Sequence, residues 1–160
     1  MATLPQLIEE DTQVLDAALA DLLTRSEATI ALVIDKGGFL IAKSGHAEHV
    51  DATTLSALAA GSYAANETIA SLVGESTFSS IYQQGENFSL LVLNIDEYCL
   101  LAVVFPPSVS VGLIKFYAEG TTRQIAGQLK CAQERNPDAG LDLSVLDVAD
   151  TSLVFRKKPA

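Results

Sequence analysis

Two short stretches of this 160-residue chain, and a few scattered serines and acid pairs, hold side chains of the kinds that do chemistry. In Gly37-Gly38-Phe39-Leu40-Ile41-Ala42-Lys43-Ser44, Gly37 and Lys43-Ser44 have the spacing of a phosphate-binding loop, GxxxxGK[ST], with Ala42 where the second glycine belongs. Such a loop works because a flexible turn between a strand and a helix points its N–H groups at phosphate. Phe39-Leu40-Ile41 is strand-like and the polar residues after Ser44 do not open a helix, so nucleotide binding is not expected here. In His46-Ala47-Glu48-His49 the only two histidines stand three apart, near Asp51, but a zinc site needs a third and fourth ligand at recognisable spacing. Solvated loop residues are the expectation. Ser44, Ser56 and Ser62 lie in no GxSxG elbow, and the acid pairs Glu9-Glu10 and Asp96-Glu97 fall at a helix start and a hairpin turn, where charge is expected for local reasons. These residues define no active site and call for no metal and no cofactor.

Composition narrows the partners. A formal net charge of −10 repels phosphate backbones and anionic lipid, so neither nucleic acid nor a membrane surface is expected as main partner. Apolar residues are 49% and charged ones 19%, the balance of one compact domain. Cys99 and Cys131 form no CxxC pattern and read as free thiols, and no stretch approaches the length of a membrane span. A cytoplasmic protein is the expectation.

The elements that position these residues follow from periodicity. Ile8, Leu15, Ala18, Leu19 and Leu22 recur at helical spacing behind Pro5 and the acids at 9–11, predicting a helix over 5–25. Residues 29–35 and 39–44 read as a hairpin turned by Lys36-Gly37-Gly38. A helix follows, capped by Asp51 or Thr53 and stopped by Gly74. Then come three strands in a meander, 77–84, 88–95 and 98–105, and a last helix from Val111 to about Asn136, weakened by Gly120 and Gly127. The order α-β-β-α-β-β-β-α predicts an α/β (α+β) domain, a five-stranded and mainly antiparallel sheet with helices on both faces. The uninterrupted apolar runs Ile30–Ile34 and Tyr98–Phe105 should be central strands, and the more polar 77–84 should lie at an edge.

The middle helix is peculiar in its small residues. Turning 100° per residue from Thr53, Leu58, Ala65, Ile69 and Leu72 fall in one arc, flanked by Leu55 and Ser62, and that arc is expected to face the sheet. The opposite arc collects Ala57, Ala60, Ala64, Thr68 and Ser71, with Tyr63 and Glu67 toward one border, and contains no lysine or arginine. Either it is a surface that another backbone approaches closely, or the helix is buried on both sides in its own chain.

From Ala28 to Leu129 the chain resembles a roadblock (dynein light chain type) domain, and in particular the bacterial MglB branch, regulators of Ras-like GTPases in cell polarity. The stretches carrying the likeness are LVIDKGGFLIAKSG, VDATTLSALAAGSYAANETIASLVGE, Phe78, Gly85-Glu86 and LLAVVFPPSVSVGLIKF. The resemblance implies a single roadblock-type domain over 5–136, followed by a tail, 137–160, that either docks on a partner or folds back. It implies a homodimer formed through the third strand and second helix, with Tyr63, Phe78, Ser80 and Tyr82 at the interface. It further implies that Ala57, Ala60, Ala64, Glu67, Thr68 and Ser71 meet a small Ras-family GTPase of the MglA type in its GTP form, whose own catalytic residues are reordered, in polarity or gliding motility and at a cell pole. Two other readings stay open: a scaffold that tethers a GTPase or motor component without changing turnover, and a small-molecule sensor on a related sandwich.

Overall fold

The structure is a computed structural model and describes residues 3–135; the expected docking tail, 137–160, lies outside the described residues. The elements are α1 (Glu9–Ser26), β1 (Ile30–Asp35), β2 (Leu40–Gly45), α2 (Ala52–Leu72), β3 (Ser80–Gln84), β4 (Ser89–Asn94), β5 (Cys99–Phe105) and α3 (Val111–Arg135). The order is the one expected. All neighbouring strands are antiparallel, and the sheet runs β2-β1-β5-β4-β3. The two apolar strands β1 and β5 are central and paired with each other, while β3 pairs only with β4 and closes one edge.

Period-two alternation divides the core between the two faces of the sheet. Ala31 and Val33 of β1 and Leu101, Val103 and Phe105 of β5 point toward α1 and α3, where they meet Leu15, Leu19, Ile114, Ile125 and Leu129. Ile30, Leu32, Ile34, Leu100, Ala102 and Val104 point the other way and pack beneath α2. Helices α1 and α3 lie side by side, and α2 alone covers the opposite face, centred over β2, β1 and β5.

Helix α1 starts at Glu9, not Pro5, because its first turn is organised by Asp11. The Asp11 carboxylate accepts from the Ile8 backbone N–H at 2.8 Å, the reciprocal half of a capping box, although apolar Ile8 offers no oxygen in return. Across the sequence it also accepts from Gln128 Nε2 at 2.6 Å and from both terminal nitrogens of Arg135 at 2.9 and 3.0 Å. The first turn of α1 is thereby tied to the last turn of α3. Asp11 itself is fully buried, and the Arg135 hydrogen bonds hold its carboxyl well below the usual range against the opposing effect of burial.

Two glycines are required by their surroundings. Gly45 closes β2 at φ +86°, and a Cβ there would stand 2.1 Å from the Thr29 carbonyl oxygen. Gly38, at φ +98° in the β1–β2 turn, lets that turn approach α2, since its Cβ would lie 3.1 Å from the Ala57 Cα. Gly120 and Gly127 of α3 have open space where a side chain would project, and the helix runs through both without a break.

Candidate functional site

Helix α2 is fixed at both ends by local chemistry. Asp51 Oδ1 accepts from Thr53 N at 3.0 Å and Thr54 N at 3.4 Å, and Oδ2 accepts from the Thr54 hydroxyl at 2.7 Å. These bonds, Thr54's first, lower the Asp51 pKa and keep a negative charge on the positive end of the helix. At the far end Gly74 turns the chain at φ +82° and the Glu75 N–H donates to the Ala70 carbonyl.

Between these ends the helix is rotated from the expected orientation. Ser56, Ala59, Ala60, Tyr63 and Ala70 are the buried residues. Leu58, Ile69 and Leu72, expected against the sheet, point outward with 68%, 47% and 81% of their surface exposed, and Ala65 is exposed with them. The expectation failed because it gave the largest apolar side chains to the core. The helix instead sits close on the β1–β2 turn, as the Gly38–Ala57 approach shows, and small residues with one Tyr63 ring pack against the strands beneath it. The Lys36 ammonium lies 5.9 Å from the centre of that ring.

The residues singled out in the sequence therefore separate. Ala57, Ala64, Glu67, Thr68 and Ser71 are all exposed on α2. Ala60 does not join them: it is buried at 5% exposure against Ile30, Leu32 and their neighbours. Tyr63, expected at a dimer interface, is likewise buried, at 4%. Phe78 and Ser80 are half-buried at the edge, and Tyr82 on β3 is 40% exposed with its ring stacked 6.1 Å from that of Phe105. In register, Tyr82 and Ser80 oppose Leu91 and Leu93 on the α1–α3 face, and Ile81 opposes Val92 on the α2 face. The large side chains missed by sequence reasoning are Leu58, Ile69, Leu72 and Val73, the last 65% exposed. Their signal was present in the composition: the 21-residue α2 holds one charged residue, Glu67, too few for a helix with one side in water.

The outer side of α2 thus carries large apolar residues along one flank and small ones, with Glu67 among them, along the other. Leaving a large aliphatic side chain in water forgoes about 1.5–3 kcal/mol of burial, which sets this helix face apart from an ordinary solvated one. The stretches with chemical side chains give no competing site. Gly37 and Gly38 form a hairpin turn followed by strand β2, not a loop followed by a helix, and His46 and His49 are exposed in the β2–α2 loop. Among the described residues no three His, Cys, Asp or Glu side chains gather as a metal site, and no helix is long and apolar enough to cross a membrane.

Fold and site together define an α/β sandwich whose helix α2 turns large apolar side chains outward and whose sheet ends in two edge strands, β2 and β3. The chain belongs to the Roadblock/LC7 domain family, whose profile matches residues 14–105. It is similar to the solved structure of an MglB with tetrameric arrangement, at 27% identity and a TM-score of 0.77, over 82% of this chain and 99% of that one. Myxococcus xanthus MglB is 26% identical with a TM-score of 0.74, over 79% of this chain and 96% of its own. The gliding protein MglB of Thermus thermophilus is 27% identical with a TM-score of 0.73, over 81% of this chain and 98% of its own. No curated protein sequence matches.

Proposed function

We propose that this protein is a homodimeric regulator of a Ras-like small GTPase of the MglA type, acting in the cytoplasm at a cell pole in polarity or motility. Two copies join through β3 and α2, extending the sheet across a two-fold axis, and the paired α2 helices form a platform for the switch regions of one GTP-bound GTPase. The dimer speeds hydrolysis by reordering the GTPase's own catalytic residues; α2 carries no arginine to insert as a finger. The observation that carries this reading is the outward face of α2, where Leu58, Ile69 and Leu72 lie exposed beside Ala57, Ala64, Thr68 and Ser71. Membership of the roadblock family and likeness to MglB support it.

The test is GTP hydrolysis by the MglA-like GTPase of the same organism, with and without this protein, while light scattering records the mass of the complex. Faster turnover in a complex of two regulators and one GTPase is the expected result. A stable complex with unchanged turnover makes the protein a tether, and no complex overturns the reading.

A further inference from the structure

Apolar surface is also left open on the side of the sheet away from α2. Phe116 of α3 is 71% exposed, and Leu113, one turn earlier, is 38% exposed. The Phe116 ring meets Tyr117 edge-on with 5.2 Å between centres, and both rings stand at a groove of about 310 Å³ between α1 and α3. Asp21 and Arg25 of α1 and Gly120 and Gln124 of α3 help to line it. Its charges cancel, because Asp21 and Arg25 pair at 2.9 Å, and at Gly120 nothing stands where a side chain would project. A neutral channel with an aromatic wall and a bare floor suits an apolar length of chain.

The sequence supplies such a length just past α3. Pro137 and Gly140 are turn residues, and residues 141–155, from Leu141 and Leu143 to Leu153 and Phe155, are mostly apolar with no lysine or arginine. The root of this segment is fixed, since Asp11 holds both terminal nitrogens of Arg135 at the corner where α1 begins, on the groove's side of the sheet. At about 1.5 Å per residue, Gln124 and Phe116 lie roughly 16 and 29 Å back along α3 from Arg135. An extended chain covers about 3.3 Å per residue, so about nine residues after a reversal reach Phe116. The outward face of α2 lies across the sheet from that root.

We infer that residues 141–155 fold back along α3 and lay their aliphatic side chains in the α1–α3 groove against Phe116. The tether decides the occupant. A shallow groove binds weakly, so a free protein at micromolar concentration leaves it empty, whereas a segment on a short linker acts at an effective concentration on the order of millimolar. The same contact holds the segment on the back of the domain and keeps the α2 face clear, whatever binds there.

The experiment is limited digestion of the full chain with chymotrypsin, which cuts after leucine and phenylalanine, with the cleavage rate within 141–155 followed by mass spectrometry. An intrinsic dissociation constant of about 0.1 mM against an effective concentration of about 1 mM leaves roughly one segment in ten undocked, and cleavage tracks that open population. Phe116→Asp and Gly120→Glu, both at exposed positions, are expected to speed the cleavage about tenfold. Gly120→Glu also raises helix propensity, so a faster cut in that variant does not come from a weakened α3. Leu72→Asp on α2 leaves the rate as it was. Equal rates in the wild type and both groove variants overturn the inference. So does protection that vanishes on dilution, which assigns the segment to a second copy, or a faster cut in Leu72→Asp alone, which assigns it to α2.

Discussion

Removing the Asp11 carboxylate tests whether charge holds the corner where α1 meets α3. In Asp11→Ala, the donors Ile8 N, Gln128 Nε2 and Arg135 Nη1 and Nη2 all lose their acceptor. A hydrogen bond to a charged group contributes about 1.5–3 kcal/mol, and four such losses do not add. The Arg135 side chain is 38% exposed, so water replaces much of what it loses, and the variant also no longer desolvates a carboxylate. We expect a net cost of about 2–3 kcal/mol, which at roughly 3 °C per kcal/mol lowers the melting temperature by about 6–9 °C at pH 7. Circular dichroism melts across pH supply a second constraint. The folded-state pKa of Asp11 is depressed, so its stabilisation is complete above the unfolded value of about 3.9 and is lost as pH falls from there toward the folded value. The gap between wild type and variant therefore holds from pH 7 to about 5 and narrows below about 4. A gap below about 1 kcal/mol at pH 7, or one as wide at about pH 2.5 as at pH 7, refutes the reasoning.

Other consequences follow from the same geometry. Ala64→Arg, on the exposed flank of α2, is expected to abolish GTPase binding with the melting temperature within a degree or two of wild type; retained binding removes that flank from the surface. Leu72→Asp places a charge where 81% of the side chain already meets solvent, so it should weaken the complex with the GTPase in light scattering without unfolding the chain. Gly45→Ala drives a methyl into the Thr29 carbonyl at a positive φ and is expected to cost about 2 kcal/mol or more in urea titration. Burial pushes the Cys99 thiol up to about 12 while Cys131 is exposed, so a thiol reagent at about pH 8 should modify one cysteine per native chain and two in denaturant.

Local rules made most of the fold legible. The hairpin glycines, the Asp51 cap, the Gly74 stop and the unbroken apolar runs of β1 and β5 each depend on neighbours close in sequence, and each appears where expected. What local rules could not place depends on distant partners. Asp11 meets Gln128 and Arg135 from more than a hundred residues away, and this pairing sets the start of α1. Residues 77–79 have strand-like composition, but pairing with β4 begins only at Ser80 opposite Leu93. The rotation of α2 was hidden for a different reason. Periodicity reports that a helix has an apolar arc but not which body covers it, and here Leu58, Ile69 and Leu72 turn away from their own sheet. The proposed site was legible as a helix lacking charge; its large apolar members emerged only once the helix was seated on its strands.

The tie between Asp11 and Arg135 also decides how the domain can be handled as a part. It brings the beginning of α1 and the end of α3 to one corner, on the side of the sheet away from α2. The unit thus resembles a plug with both leads on its back. A fluorescent reporter attached ahead of α1 leaves the front clear. By the same layout, the unit can be inserted into a surface loop of another protein and still display α2 outward.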